Sequence, residues 1–600
     1  LTAAAEYRRR AAIGGGGRDD TGFELLGELP TKLGERPDGG ATLLDRLFKP
    51  QPETRRPFAV VHAALGHASK AAAALAATRQ AVVTYRWHVA LWFVGFLLLA
   101  AAGPLSLACW GDCAAAWPRW VAPETWLPAL LLTIAFAAVV ATLFGVLGGL
   151  VTDLMRGLVG NGFGLCRGWS TDATSLDADL TGFMHATIQR LAGRSESDAP
   201  LTFADLWRAP GGPPGAAGDD GRGPRSIRLE LYATNLSHGR PYRFPRDERD
   251  DDMQRLFFRP EELEPYFPAA VMNHLRAHAV RYAPRARHDP EPGPAWQGCW
   301  ELPAEHLPLV VAARISMSFP LLLSAVPLYA IDYEAQQRQH RGPRRCWMSD
   351  GGLCTNFPIH LFDALVPRWP TFGISLQRRP PGDGRRVWLP DRHYEGRGDS
   401  WLDDIDAHSR SARVFAFVFG LWRAGSTWND MALLRMPAVR DRVVRVLLDE
   451  GEGGVNIRMS PAEIDRLASY GAEAACALCA KFAVPGGAGW AEHRWVRFNR
   501  LVTALRAEIE GFAATAQAHG GAPALADQIA QALAGPALRG PHDPSIVRDP
   551  SEAPLDAAQA KELRRALRVL DLLEKAMARP SQPPPYRAMP RAELRVRPPA

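Results

Sequence analysis

Two long stretches without charged residues stand out in the pattern of hydrophobic and polar positions along the chain. Residues 87–111 and 125–152 contain no Asp, Glu, Lys or Arg. Each stretch is longer than the roughly 20 residues that cross a bilayer as an α-helix. The pattern predicts two transmembrane helices, at about 88–110 and 126–151, which together form a helical hairpin. Two buried core helices, or a hydrophobic lid over a lipid site, are the alternatives.

The residues around this predicted hairpin indicate its orientation. Arg79 and Arg86 precede the first span and Arg156 and Arg167 follow the second, whereas Arg119 is the basic residue of the short connection. Because positively charged flanks stay on the cytoplasmic side, both ends of the hairpin are predicted to be cytoplasmic. Tryptophans cluster near the proposed span ends, as in an aromatic belt. They are Trp87, Trp92, Trp110, Trp117, Trp120 and Trp126.

The remaining pattern predicts a soluble α/β protein into which the hairpin is inserted. Residues 227–236 alternate apolar and polar positions, which is typical of a strand. Residues 307–316 form a predicted helix that stops before Pro320, because the residue before proline avoids helical angles. Further helices are predicted at 172–191, 461–534 and 555–578, strands at 370–376 and 443–448, a short apolar helix at 413–422, and a loop-rich excursion at 245–306.

These elements divide the 600-residue chain into five regions. The first is a mostly helical N-terminal part, and the hairpin is the second. The third is the remainder of the same α/β domain, which is followed by an extension that becomes mainly helical and by a tail rich in Pro and Arg. Their ranges are 1–84, 85–155, 156–380, 381–534 and 535–600.

Composition excludes several classes of protein. With 47% hydrophobic and 22% charged residues, the chain is globular rather than disordered. Its net charge of +6 is spread thinly and the arginines are scattered, so nucleic acid is not a predicted partner. Eight cysteines in 600 residues do not make a disulfide scaffold. Abundant Ala, Arg, Gly and Pro with few lysines suggests a bacterial source, which would place the hairpin in the inner membrane.

The strongest candidate for chemistry is Asp350, followed by Gly351 and Gly352. A short run with Trp347 and Met348 predicts a buried strand that ends at the aspartate. The two glycines allow backbone angles or a close approach that a side chain would block. In open α/β sheets, residues just past a strand end line the ligand crevice. A plain Asp-Gly turn without chemistry is the alternative.

Two flanking segments give this motif a family context. Ala313-Arg-Ile-Ser-Met-Ser-Phe-Pro320 precedes it and Asn356-Phe-Pro358 follows it. Together with Asp350-Gly-Gly they resemble the patatin-like phospholipases, most closely over residues 300–380. The resemblance implies a three-layer α/β/α sheet domain, and a Ser–Asp dyad in which Asp350 accepts the proton of a serine nucleophile. It implies no metal and no organic cofactor.

The nucleophile is the part of this pattern that the chain lacks. Patatin-like enzymes carry the serine in a Gly-x-Ser-x-Gly elbow, and no serine here has glycines at both of those positions. We therefore expect the elbow and its oxyanion loop to lie upstream of Leu1. Ser69, which follows the strand-like run 58–61, and Cys166, which has elbow spacing between Gly164 and Gly168, are weak alternative nucleophiles.

The predicted function is hydrolysis of glycerolipid esters at the membrane by a domain on the cytoplasmic side. Membrane lipids are then both the substrate and the anchor. The chain as it stands is expected to be inactive without the upstream serine. A catalytically inactive lipid-binding or scaffold protein with the same fold is the alternative. A transporter is disfavoured, because neither predicted span contains paired charges. The apolar residues 321–329 line an acyl-chain channel or pack in the core.

Overall fold

The structure is a computed structural model that contains both helices and several sheets. This agrees with the predicted α/β fold class. It describes the chain apart from residues 14–22, 38, 68–69, 110–122, 171–178, 211–224, 247–254, 286–288, 334–341, 364–365, 368–369, 381, 394, 396–409, 437, 450, 455, 485–488, 526, 529–556 and 578–600. The described residues form two compact units. The first contains the described residues of 1–356 and 448–470, and the second contains those of 357–447 and 471–577.

The first unit contains thirteen described α-helices that precede residue 356. They are α1 (Thr2–Ile13), α2 (Glu24–Gly27), α3 (Leu29–Gly34), α4 (Leu43–Arg46), α5 (Arg55–Ala64), α6 (Lys70–Thr84), α7 (Arg86–Cys109), α8 (Pro123–Asp153), α9 (Leu180–Leu191), α10 (Phe203–Trp207), α11 (Pro260–Leu263), α12 (Ala269–His278) and α13 (Leu309–Ser316). Its strands are β1 (Gly164–Cys166), β2 (Leu231–Asn235), β3 (Arg240–Phe244), β4 (Leu256–Phe258), β5 (Val280–Arg281), β6 (Trp300–Glu301), β7 (Leu321–Leu323), β8 (Val326–Ala330) and β9 (Arg344–Asp350).

Seven of these described strands form the main sheet, in the order β3-β2-β9-β8-β4-β6-β5. Neighbouring strands run antiparallel in every described pairing, including β2 with β9, where Ala233 lies opposite Asp350. The strand predicted at 227–236 is present over the shorter range Leu231–Asn235, and it lies beside the Asp350 strand as expected. The two strands β1 and β7 pair in parallel outside this sheet. Asp350 thus lies at a strand end within an antiparallel sheet.

The largest hydrophobic core packs helices against this sheet. It joins Ala5 of α1, Ile188 of α9 and Val311 of α13 to Ala233 and Met348 of the central strands. Burial of this apolar surface is the main source of stability for the unit. The apolar run after Pro320 divides between two environments. From Leu323 to Ala330 the side chains are buried, which agrees with core packing, whereas Leu321 is exposed.

Three local predictions need correction. The run 58–61, read as strand-like, lies within helix α5, where Pro57 and Phe58 are buried. The helix predicted to begin at residue 172 is seen from Leu180, and 171–178 lie outside the described residues. The predicted loop-rich excursion at 245–306 supplies β4, β5 and β6 to the main sheet. The charged residues of this region indicate a solvated loop, so the pattern did not predict these strands.

Helices α7 and α8 pack closely through small residues on α8. A Cβ added to Gly145 would lie 2.6 Å from the backbone of Val89, and one added to Gly149 would lie 2.4 Å from the ring of Tyr85. Ala137 and Ala141 on the same face are buried. The spacing of four residues brings all of these positions onto one side of the helix. Gly145, Gly149, Ala137 and Ala141 are called the small-residue seam below.

The described residues include one helix, Leu131–Leu158, that is long and apolar enough to cross a membrane. Ala72–Thr84 and Arg86–Leu99, bent by 71° at their junction, pass the same test only as a pair. The first predicted span lies in α7, which passes this test only together with the helix before it. The connection between the predicted spans, including Trp110, Trp117 and Trp120, lies outside the described residues.

The second unit has its own small sheet and core. Its described strands are β10 (Gly373–Arg378), β11 (Val387–Trp388) and β12 (Val443–Leu448), in the order β10-β12-β11. The later helices of the chain are α14 (Arg410–Arg435), α15 (Pro461–Phe482), α16 (Gly489–Ala518) and α17 (Ala557–Met577). The strands predicted at 370–376 and 443–448 are present, but the first belongs to this unit and not to the main sheet. The apolar helix predicted at 413–422 is longer than expected, because it is part of α14.

Candidate functional site

Asp350 occupies the last position of β9 and turns the chain at that point. Its backbone N–H donates to the carbonyl of Ser318 at 2.9 Å. Its carboxylate oxygen Oδ1 accepts the N–H of Gly352 at 2.7 Å, which is the hydrogen bond of an Asx turn. The side chain is half-buried. Both bonds fix the carboxylate at the strand end, so its position is set by the backbone on either side.

The two glycines after Asp350 are required by space. A Cβ on Gly351 would lie 2.3 Å from the carbonyl oxygen of Tyr232 on the neighbouring strand. A Cβ on Gly352 would lie 2.4 Å from Oδ1 of Asn356, whose amide nitrogen donates to the Gly352 carbonyl at 2.9 Å. Real Cβ atoms essentially never lie so close to other atoms. A side chain on Gly351 would therefore displace the turn, and one on Gly352 would push aside the side chains of Asn356 and Asp350. The close approach expected of these glycines is therefore present.

The electrostatic surroundings of Asp350 are unusual for a surface carboxylate. Partial burial raises the pKa of Asp350 above its ordinary value, and the hydrogen bond from the Gly352 amide opposes that shift. No described Arg, Lys or His forms an ion pair with it, and its second oxygen accepts no hydrogen bond from a described residue. The carboxylate is therefore free to take a proton at Oδ2.

A fully buried arginine, Arg314, holds the segment that contacts Asp350. Its guanidinium donates to the hydroxyl of Ser318 at 2.8 Å and to the carbonyls of Arg167 at 2.8 Å and Ser324 at 2.9 Å. Burial lowers its pKa to about 10. Gly168, with φ of 86°, passes so close that a Cβ would lie 3.0 Å from Nε of Arg314. Arg314 thus ties α13 to β1 and β7.

This positioning role was not predicted, although Arg314 is part of the segment that carries the family resemblance. An arginine inside the apolar run 309–315 was the available signal, because a charge there must be satisfied by buried acceptors. The sequence does not show which carbonyls supply them. The chain from Arg314 through Ser318 to the Asp350 amide is a continuous set of hydrogen bonds.

Replacing Arg314 by methionine is expected to destabilise the first unit by about 2–4 kcal/mol, because buried carbonyls lose their donor. Arg156→Met, at an exposed position, should change the stability by less than about 0.5 kcal/mol. Denaturant unfolding of the two variants in the same detergent measures the difference. Equal stability of the two variants would show that Arg314 does not hold this segment together.

The structure describes one of the two alternative nucleophiles, Cys166, but not the other, Ser69. Cys166 lies in strand β1 and is fully buried, and burial raises the pKa of its thiol. A nucleophile elbow needs an exposed turn and a thiolate, so the structure disfavours Cys166. Ser69 lies outside the described residues. Ser318 and Ser349 are close to Asp350 in the fold, but both are buried and both donate to backbone carbonyls.

No described serine hydroxyl is hydrogen-bonded to the Asp350 carboxylate. Helix α1 packs through Ala5 on the core that also contains Met348, two residues before Asp350. Leu1 and Ala4 are partly buried against the same core.

The described residues contain no group of three or more His, Cys, Asp or Glu that could hold a metal ion.

Comparison with known proteins finds a relative of this chain. The chain is 32% identical over 419 residues to a protein named RpoH suppressor from Rhizobium meliloti (strain 1021). The aligned region covers 62% of this chain and spans 61% of that relative's length. The relative's name specifies no reaction or ligand. No protein-family profile and no solved structure matches the chain.

Proposed function

We propose that the protein is a membrane-anchored, patatin-like acyl hydrolase in which Asp350 is the general base. One observation carries the proposal: a half-buried carboxylate without an ion-pair partner among the described residues, fixed at a strand end by the Gly352 amide. A raised pKa brings the proton affinity of such a group closer to that needed at neutral pH. The two glycines keep the turn in this form, because a Cβ added at either position would collide with neighbouring atoms.

The proposed chemistry uses a serine from a Gly-x-Ser-x-Gly elbow that precedes Leu1. As the serine oxygen attacks the ester carbonyl, its proton passes to Oδ2 of Asp350. The tetrahedral intermediate collapses, the alcohol leaves, and Asp350 returns the proton to it. Water then hydrolyses the acyl-enzyme by the same proton route. Metal ions and organic cofactors have no part in these steps.

The membrane anchor is part of the same proposal. The seam of small residues permits the close backbone approach that is common between helices in lipid. The outward face of α8 carries exposed apolar side chains at spacings of three and four residues, which suits contact with acyl chains. These residues are Leu132, Phe136, Val139, Leu143 and Leu147. We propose that α7 and α8 form the transmembrane hairpin, with the Asp350 domain on the cytoplasmic side of the bacterial inner membrane.

The first test compares residues 1–600 with a version extended upstream in the same reading frame. We expect the extended protein to hydrolyse a glycerophospholipid in mixed micelles, and residues 1–600 alone to show no activity above background. Replacing the elbow serine by alanine in the extended protein should abolish the activity. If residues 1–600 are as active as the extended form, the nucleophile lies within them and the upstream serine is excluded.

The second candidate is a catalytically inactive lipid-binding or scaffold protein with the same fold. The observation that favours it is that no described serine hydroxyl bonds to Asp350. An upstream sequence without a serine between two glycines would support this candidate. In that case the extended protein should bind lipid without hydrolysing it.

A further inference from the structure

Two bulky residues close to the segments that flank Asp350, one in contact with Trp347 and the other three residues after Ser318, have backbone angles that normally belong to glycine. Phe163 has φ of 63° and Leu321 has φ of 66°, and only Ala438 shares this property among the described non-glycine residues. Such left-handed conformations are costly for large side chains and persist where the surroundings enforce them. The two residues stand at the start of β1 and β7, which run parallel, so they lie at the same end of that pair.

The neighbours of Phe163 explain why its side chain points outward. A Cβ on Gly162 would lie 2.7 Å from the hydroxyl of Tyr266, and one on Gly164 would lie 2.1 Å from the backbone nitrogen of Ser324. The backbone on both sides of Phe163 is therefore pressed against the body of the unit. Phe163 itself remains exposed and contacts the ring of Trp347 edge-on, with ring centroids 5.0 Å apart.

Phe163 and Leu321 belong to a larger exposed apolar group beside Asp350. Met317 and Phe319 lie on either side of Ser318, whose carbonyl accepts the Asp350 N–H. All four apolar side chains are between 39% and 62% exposed. A soluble surface seldom gathers such residues around a candidate active site without a partner. Phe163, Met317, Phe319 and Leu321 are called the apolar lip.

The exposed apolar face of α8 continues toward this lip. After Leu147 and Val151, the exposed side chains of Met155 and Val159 extend the same spacing beyond the end of the helix. Phe163 follows four residues later, and Arg156, exposed between Met155 and Val159, places a positive charge where lipid headgroups would lie. Exposed apolar side chains thus continue along the helical segment as far as Val159, and Phe163 follows at the end of the turn at 161–163.

We infer that the apolar lip inserts into the headgroup and acyl-chain boundary of the bilayer and presents the Asp350 site to the membrane surface. The occupant of this surface is the lipid bilayer. The inference rests on the proposed membrane anchor and deepens the proposed function, because it places the lipid ester next to the carboxylate. The strained backbone at Phe163 and Leu321 is the device that turns apolar side chains toward lipid.

The test uses the full chain reconstituted in vesicles of phosphatidylethanolamine and phosphatidylglycerol. A photoreactive p-benzoylphenylalanine replaces Phe163 or Leu321, and in a matched control it replaces Val280. Val280 is a similarly exposed apolar residue in β5, the edge strand that is separated from β9 by β8, β4 and β6. We expect lipid adducts after irradiation at positions 163 and 321 and none at 280. Absence of adducts at 163 and 321, or equal labelling at 280, would overturn the inference.

A second variant separates membrane contact from a merely structural role. Phe163→Asn should fold with an unchanged or higher melting temperature, because asparagine tolerates the left-handed backbone better than phenylalanine. In the upstream-extended protein it should lower hydrolysis of vesicle lipid by about tenfold, with hydrolysis of a water-soluble short-chain ester retained. An equal loss on both substrates would contradict the lip. Lipid adducts without any hydrolysis would leave the lip in place and overturn the proposed catalytic function instead.

Discussion

Asp350→Asn in the upstream-extended protein is expected to lower ester hydrolysis by about a hundredfold to ten-thousandfold, the usual contribution of a positioned general base. The asparagine oxygen still accepts the Gly352 N–H, so the turn keeps its hydrogen bond while the proton acceptor is lost. The matched control is Asp383→Asn, a half-buried aspartate that is also followed by a glycine and is paired with Arg385. Its activity should equal that of the parent. If Asp350→Asn keeps more than about a tenth of the activity, another group accepts the proton.

The pH dependence gives this prediction a second readout. Partial burial raises the pKa of Asp350 in the folded state, so the folded protein holds this proton more tightly than the unfolded chain does. Activity should rise as the pH rises through the folded pKa, and this rise should lie above about 3.9, the ordinary value for aspartate. The Asn variant should lack this pH-dependent rise.

The same shift fixes the sign of the effect on stability. With a raised folded pKa, ionised Asp350 disfavours the folded state above that pKa, and the penalty disappears as the pH falls below the unfolded value. At neutral pH the Asn variant should therefore be as stable as the parent or more stable. Thermal unfolding at neutral and at acidic pH measures this. A clear loss of stability at neutral pH would show that the charge has a structural role.

Local chemistry made part of this site predictable from sequence. The Asp-Gly-Gly turn, the helix that stops before Pro320 and the strand beside Asp350 each depend on residues close in the chain or on simple alternation. Steric exclusion at Gly351 and Gly352 is local as well, apart from the approach of Tyr232. Such features follow from backbone geometry that a few neighbouring residues determine.

The missed features depend on partners that are distant in sequence. In the region 245–306, Arg255 is buried and donates to Asp289 and Glu301, at 2.9 Å in each case. Read along the chain, these charges indicate a solvated loop. In the fold they satisfy one another, which allows β4 and β6 to be buried next to each other. The positioning role of Arg314 was not predicted for the same reason, because its hydrogen-bond acceptors come from residues 167, 318 and 324.

The contact between α7 and α8 shows a third kind of limit. Hydrophobicity alone predicted two apolar helices, but it does not distinguish a face that contacts lipid from one that contacts a helix. Size makes that distinction, because Ala137, Ala141, Gly145 and Gly149 repeat at intervals of four on the buried side. In lipid, apolar burial does not drive helix association, so close packing of small residues has to supply it. The seam therefore leads to the most direct test of the anchor.

Gly145→Leu is expected to separate α7 from α8, because its first side-chain atom would already lie 2.6 Å from the Val89 backbone and 2.9 Å from that of His88. Backbone atoms cannot move aside as a side chain can. We therefore expect the free energy of unfolding to fall by at least about 1–3 kcal/mol. The control is Gly148→Leu, three residues further along the same helix, where a Cβ has only the Trp92 side chain near it, at 3.9 Å. Both variants add the same apolar side chain and share the same helix-propensity gain over glycine.

Thermal unfolding in detergent and protease protection in inverted membrane vesicles compare the two variants. Gly145→Leu should melt at a lower temperature and expose α7 to protease, whereas Gly148→Leu should match the parent or exceed it. If both variants are equally stable and equally protected, the helices do not depend on the seam, and the two spans insert independently. If carbonate washing releases the parent and both variants from the membrane, then the apolar face of α8 contacts protein and not lipid, and the proposed anchor is wrong.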